Sequence, residues 1–241
     1  MNISEKIIRA KTDYDEVYDA GKKAEYDRFW DLFQNNGNRT SYNSVFGGRA
    51  WGDETFKPKY DIKPKGSGTI GYAFNQNGVT NLKQTLEDLG IEMDLSQVTG
   101  SAVMAFANMR SSELPVLDLR GCTSGQQLFA NAGLLETVEK LIVSSSLTYS
   151  GSFGNCSKLE NITFAGEIGK SIDFQYSPLT KASIESIVEH LWDGASGQKL
   201  TLNLAAVNKA FETAEGANNG SVSMEWLDLE SSKPNWTIAL A

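Results

Sequence analysis

The sequence predicts an α+β chain built around a short right-handed solenoid, with a helix ahead of it and a helix-plus-strand cap behind it. Three observations lead there. Phe106-Ala-Asn, Phe129-Ala-Asn and Phe153-Gly-Asn recur at spacings of 23 and 24 residues. Each copy is followed at a matching offset by a short apolar run, at 114–119, 138–143 and 159–164. The segments on either side lack this period. A fixed repeat of roughly 20–29 residues carrying one short strand marks a stack of coils.

The first segment, 1–34, reads as a helix. Ile3, Ile7, Ala10, Tyr14, Val17, Gly21 and Ala24 alternate steps of four and three residues, the period of a coiled-coil seam. An amphipathic helix packed on its own domain and a self-associating coiled coil both fit this pattern. Tyr26, Phe29, Trp30 and Phe33 add a second apolar face at helical spacing. The candidate oligomerisation residues are Ile3, Ile7, Tyr14, Val17, Phe29, Trp30 and Phe33. The next segment, 35–68, opens on Asn35-Asn-Gly-Asn, which stops a helix. It is rich in turns and aromatics: Tyr42, Phe46, Trp51, Phe56 and Tyr60. Such rings must pack on something, either as an N-cap of the solenoid or as anchors on another subunit. Gly66-Ser-Gly-Thr-Ile-Gly71 lacks the Gly-Lys-Ser/Thr of a phosphate loop and reads as a flexible linker.

The solenoid is expected over 69–179. One coil cannot bury both its strand and its phenylalanine, whereas stacking gives a parallel sheet and an interior column of rings. The Asn of each Phe-x-Asn is expected to satisfy backbone groups where the coil turns. Cys122 and Cys156, the two cysteines, fall at packing positions and give neither a disulfide framework nor metal-ligand spacing. Ile172-Asp-Phe174 reads as a further copy, and Ile91-Glu-Met-Asp-Leu95 as an upstream strand. The cap, 180–241, begins with a helix over 178–192 on the apolar face Ile184, Ile187, Val188 and Leu191. It continues with a strand over 199–204 that places Leu200, Leu202 and Leu204 on one face, a short helix at 205–212 and a final strand at 236–240.

Composition narrows the function. Lys plus Arg total 22 against 30 acidic residues, a net charge of −8, with no basic run to meet a nucleic-acid backbone or an anionic membrane. The expectation is no nucleic acid and no membrane insertion. No apolar leader stands at the N-terminus, so synthesis in a bacterial cytoplasm is expected. No constellation for catalysis emerges. His190 is the sole histidine and sits near a helix C-terminus, where a structural role suits it. The expectation is a non-enzymatic chain with no cofactor and no metal. Two alternatives stay open: a free bacterial protein-binding module, and a carbohydrate-active enzyme whose paired carboxylates meet only in space.

Phe153-Gly-Asn-Cys-Ser-Lys-Leu-Glu-Asn-Ile162 resembles the repeat of the BspA-like leucine-rich-repeat family. Repeats of this kind occur in bacterial surface proteins and in proteins of phages and prophages of gut bacteria. The resemblance covers about 91–179, and the cap looks similar. Tyr26-Asp-x-Phe-Trp-Asp, Asn35-Asn-Gly-Asn-Arg39 and Phe56-Lys-Pro-Lys-Tyr-Asp-Ile62 look like what precedes such repeats in phage-encoded proteins. The resemblance implies adhesion or recognition without catalytic residues. This chain departs from surface adhesins in having few repeats, no signal peptide and no anchor, which favours a virion component: tail, baseplate or head decoration. Self-association into a trimer or dimer, contact with other virion proteins, and a host surface glycan or protein as ligand are the expected partnerships. By strand alternation, the candidate binding positions are Asp118, Lys140, Asn161, Thr163 and Asp173.

Overall fold

The computed structural model describes residues 45–48, 51–58, 61–64, 68–211 and 223–241. The predicted N-terminal helix, with Ile3, Ile7, Tyr14, Val17, Phe29, Trp30 and Phe33, lies outside the described residues. So do Tyr42 and Tyr60.

The repeated phenylalanines stack inside the molecule. Ring centroids are 5.2 Å apart for Phe74–Phe106, 5.7 Å for Phe106–Phe129, 5.3 Å for Phe129–Phe153 and 4.3 Å for Phe153–Phe174. These four steps are about four turns of a β-solenoid. The column continues upstream, where Phe46 lies 4.9 Å from Phe74 and Phe56 meets Phe46 edge-on at 5.6 Å. Both rings are fully buried, so this part of the aromatic-rich segment packs on the chain's own core.

The backbone beside the column has an unusual conformation. Tyr72, Gln76, Met104, Asn108, Gln127, Asn131 and Asn155 all have φ between 53° and 60°. Each stands two residues before or after a column phenylalanine. Gly151 and Gly48 occupy two more such places, with φ of 64° and 96°. A left-handed residue other than glycine costs roughly 1–2 kcal/mol. The coils offset that cost with hydrogen bonds to the next turn. Tyr72, Phe74 and Gln76 N–H donate to the carbonyls of Val103, Ala105 and Ala107 at 2.7–2.9 Å. Met104, Phe106 and Asn108 donate likewise to Gln126, Leu128 and Ala130, and Gln127, Phe129 and Asn131 to Ser150, Ser152 and Gly154. The intervening N–H groups turn back within their own coil, as Ala73 does to Ile70 and Asn75 to Tyr72.

The expected role of the Asn side chains is corrected here. They bond to one another, Asn131 Nδ2 to Asn108 Oδ1 at 3.3 Å and Asn155 Nδ2 to Asn131 Oδ1 at 2.7 Å. In the coils of Phe74 and Phe153 a backbone carbonyl is met instead by the residue three places after the phenylalanine. Asn77 Nδ2 donates to Phe46 O at 2.9 Å, and the Cys156 thiol to Phe129 O at 3.2 Å.

On the other side of each coil lie strands β1 (Glu113–Asp118), β2 (Thr137–Val143) and β3 (Asn161–Gly166) in a parallel sheet. Leu114, Val138 and Ile162 are in register and point inward, as do Leu117, Leu141 and Phe164. Strand β4 (Ile172–Phe174) belongs to a second parallel sheet with β5 (Gln198–Leu202) and β6 (Trp236–Leu240). One hydrophobic core runs from Phe46 through both sheets to Trp236.

Helices bound the first sheet at both edges. Helix α1 (Leu82–Leu89), which the sequence pattern did not reveal, starts on the N-cap Asn81, ends on the left-handed Gly90 and packs on β1. Helix α2 (Lys181–Glu189) packs on β3. Ser183 Oγ and Ser186 Oγ accept hydrogen bonds from the outward N–H groups of Ile162 and Phe164, both at 2.9 Å. The helix thereby satisfies donors that an open edge would leave bare. It also explains why Thr180 caps without a side-chain bond to the helix backbone: its hydroxyl lies 3.0 Å from the engaged Ser183.

Three further expectations change. Residues 91–95 add no strand to the sheet of β1, because α1 occupies that side; Met93 bridges to Ile62 instead. The linker reading of 66–71 fails over its described part, since Ile70 is buried and its N–H bonds to Ser101 O at 2.9 Å. Leu204 does not extend β5. It is 39% exposed and opens helix α3 (Leu204–Phe211), because Asn203 turns the chain by bonding Gln175 O and the Ala206 N–H. Helix α4 (Met224–Ser231) completes the cap with Trp226 against Phe211.

Two outcomes follow for stability. Phe129→Ala, at the centre of the column, should lower the unfolding free energy by about 3–5 kcal/mol in urea titration. Ser186→Ala should cost about 1–3 kcal/mol, because it strands the Phe164 N–H, while Ser→Ala at exposed Ser150 should change little.

Candidate functional site

Alternation along a strand decides what each coil shows to solvent. The outward residues of the first sheet form cross-strand rows. Val116 is in register with Lys140, and the bulge between Val138 and Leu141 puts Lys140 beside Thr163. Asp118, Ile142 and Ala165 make the next row, and Glu113, Thr137 and Asn161 the previous one. Asp118, Lys140, Asn161 and Thr163 are therefore brought onto one surface. Asp173 is not, since it lies on β4 in the other sheet, where its carboxylate accepts the Gln175 N–H at 2.9 Å.

Charged side chains pair on and beside this face. Asp118 is gripped by Arg120, with Nη2 to Oδ2 at 2.7 Å and Nε to Oδ1 at 3.0 Å. Lys83 reaches from α1 to Glu139 at 3.4 Å and to Glu87 at 3.8 Å. Its hydrogen bond to the Glu139 carboxylate holds the Lys83 ammonium above its ordinary pKa. Asp94 is held below the usual carboxylate range by hydrogen bonds from the Ser96 side chain and backbone.

Between α1, residues 91–95 and β1 lies a groove of about 380 Å³. Leu86, Ile91, Met93, Val116 and Ile142 form its apolar floor. Glu87, Glu92, Asp94, Asp118 and Glu139 rim it, with Lys83 as the cation among them. Val116 is 36% exposed, an apolar side chain open to a ligand at the junction of floor and rim. Four of the five carboxylates already meet a cation of the chain, Asp118 with Arg120, Glu87 and Glu139 with Lys83, and Glu92 with Lys63 at 2.6 Å, so the rim keeps a small negative excess beside the apolar floor. Of these residues the sequence reading identified Asp118 alone. Val116 was accessible to strand alternation, but Glu139 turns outward only at the bulge, and Lys83, Leu86 and Glu87 depend on α1.

The two cysteines have no place in that surface. Cys122 and Cys156 are fully buried, and burial pushes each thiol up to about 12. His190 ends α2 with Nδ1 2.7 Å from Ser186 O, a helix-terminal contact. Among the described residues, no group of three His, Cys, Asp or Glu side chains is arranged to hold a metal ion. Nor is any described helix long and apolar enough to cross a membrane. Comparison with known proteins gives no match to a family model, to a curated protein or to a solved structure.

The thiols set a testable pH behaviour. Unfolded, they ionise near 9; folded, near 12. The folded state holds their protons more tightly, so this stability is full below pH 9 and is lost as pH rises from 9 towards 12. Iodoacetamide at neutral pH should leave the native protein unlabelled and label both thiols in denaturant. The Cys122→Ala, Cys156→Ala double variant should lose less stability than the parent on passing above pH 9, read from urea midpoints.

Proposed function

We propose that this chain is a non-enzymatic recognition protein of the BspA-like leucine-rich-repeat kind, carried on a phage virion as a self-associated subunit. The strand face would be the recognition surface, taking a protein ligand that brings an apolar side chain with positive charge around it. The observation behind the recognition role is the groove beside β1, where Val116 stands exposed with Leu86, Ile91, Met93 and Ile142 between the helix and the strands. Rigid elements hold a binding surface without an ordering cost on association. The virion placement rests on the sequence resemblance and on the heptad pattern of Ile3, Ile7, Tyr14 and Val17, with Phe29, Trp30 and Phe33 as further anchors. A tail, baseplate or decoration protein needs such a self-association segment, with its solenoid turned outward.

Light scattering on the full chain tests this reading. The expected mass is two or three times 26.3 kDa. Ile7→Asp with Val17→Asp should return it to the monomer, because buried carboxylates at a helix seam oppose pairing. A parent protein that stays at 26.3 kDa up to its solubility limit would sink the virion-subunit reading and favour a free-standing binding module.

A further inference from the structure

The solenoid has a second outer surface, over the phenylalanine column, and its chemistry is unlike that of the strand face. The stretches 68–82, 95–109, 121–135 and 144–157 contain no charged residue, in a chain that is 22% charged. These stretches hold the column phenylalanines and the left-handed residues around them. Charge resumes at the corners, with Arg110 and Lys158, and at Asp173 in the last coil.

What the uncharged surface presents is regular. Two residues after each phenylalanine come Gln76, Asn108, Asn131 and Asn155, an amide in every coil. Asn108, Asn131 and Asn155 are already tied side chain to side chain. Five residues before each phenylalanine come Thr69, Ser101, Ser124 and Thr148, a hydroxyl in every coil, with Ser101, Ser124 and Thr148 paired in parallel bridges. Between the two columns Gln127, Ser150 and Gly151 are exposed. One residue after the phenylalanine, Ala107, Ala130 and Gly154 keep the ground low. An amide tied to one neighbour retains a second N–H and a second lone pair for a ligand.

Exposed aromatic rings mark both ends. Tyr72 is 46% exposed in the first of these coils, and Tyr176 is 51% exposed in the last. Tyr176 falls two residues after Phe174, the place held by Asn155 one coil earlier. The bond from Ser177 Oγ to Cys156 O, at 3.2 Å, sets the two side by side.

We propose that this surface binds a neutral, linear polysaccharide lying along the solenoid axis. Column ring centroids stand 4.3–5.7 Å apart and parallel pairing spaces neighbouring coils by roughly 4.8 Å, comparable to the length of one pyranose unit in an extended chain. Successive sugars would each meet the amide of one coil. Hydroxyl groups both donate and accept, as amides and serine hydroxyls do, so a sugar chain can be satisfied on this surface without fixed charge. A terminal sugar would lie on Tyr176, whose ring offers a flat apolar face with a polar edge. The absence of fixed charge over four coils favours a neutral chain over an acidic one. This site stands apart from the groove beside β1 and does not depend on the strand face being a binding surface.

The test uses the full chain with hexasaccharides of β-1,4-linked glucose, mannose and N-acetylglucosamine, and hexagalacturonate as the charged comparison, measured by calorimetry. At least one neutral hexamer should bind. Its disaccharide should bind at least tenfold more weakly, because contacts accumulate coil by coil. Asn131→Gly with Asn155→Gly should weaken binding at least tenfold; glycine adopts the left-handed backbone readily and removes the amides without placing like charges side by side. Tyr176→Ala, at an exposed position, should weaken it comparably, while Val116→Arg on the strand face should leave it unchanged. Failure of all three neutral hexamers would overturn the proposal. So would equal binding of hexagalacturonate, or indifference to both the Asn and the Tyr176 substitutions.

Discussion

Each coil of this protein is fastened to the next at a buried phenylalanine whose flanking residues are held in the left-handed conformation. The ring column from Phe46 to Phe174 supplies the apolar burial. The left-handed residues two places to either side turn alternate N–H groups along the solenoid axis, where the next coil's carbonyls accept them. Neither feature persists alone. Seven non-glycine residues with positive φ would be a serious burden without the inter-coil bonds, and those bonds could not align if the rings failed to set the coil spacing. The same constraint leaves the residue before each phenylalanine facing inward, as Ala73, Ala105, Leu128 and Ser152 do. It also leaves the residue two places after facing out.

The strand side follows from that spacing. Once coils are stacked at the ring distance, the chain on the opposite side comes within reach of parallel pairing, and β1, β2 and β3 align with Leu114, Val138 and Ile162 abreast. A parallel sheet of three strands has two open edges. Here helices flank both, and on the β3 side two serines of α2 stand in for the missing strand's carbonyls. The cap from β4 to β6 extends the core with strands on the phenylalanine side, so the solenoid closes by changing which face carries its sheet.

This construction divides the surface. Charge gathers on the strand face, around Asp118, Arg120, Lys83 and Glu139, and is missing from the face above the phenylalanines. A repeat protein can vary outward positions freely while its inward ones are fixed by packing. The two outer faces differ in chemistry, and the two ligands proposed above, a partly apolar protein surface and a neutral sugar chain, would each meet one of them. The buried thiols and the helix-terminal His190 belong to the packing.

The sequence by itself determined the repeat, its period and its inward residues, because Phe106, Phe129 and Phe153 and the apolar runs after them recur in plain register. It also placed β5, β6 and α2 to within a few residues, since local alternation and helical spacing are enough for that. The tertiary structure alone decided the rest. Tyr72, Met104 and Gln127 carry no local sign of a left-handed backbone; only hydrogen bonds to a neighbouring coil impose it. Phe46 and Phe74 stand 28 and 32 residues from their successors, too irregular for the period to reveal, yet they stack in the same column. Asp173 alternates like a member of the strand face but pairs in the other sheet, because β4 joins β5 where the coil's path changes. The groove beside β1 was legible only through Asp118, since α1 forms its other wall. The inward pattern is written within each coil, whereas the surfaces that meet a ligand arise between coils, from contacts whose partners the chain brings together only by folding.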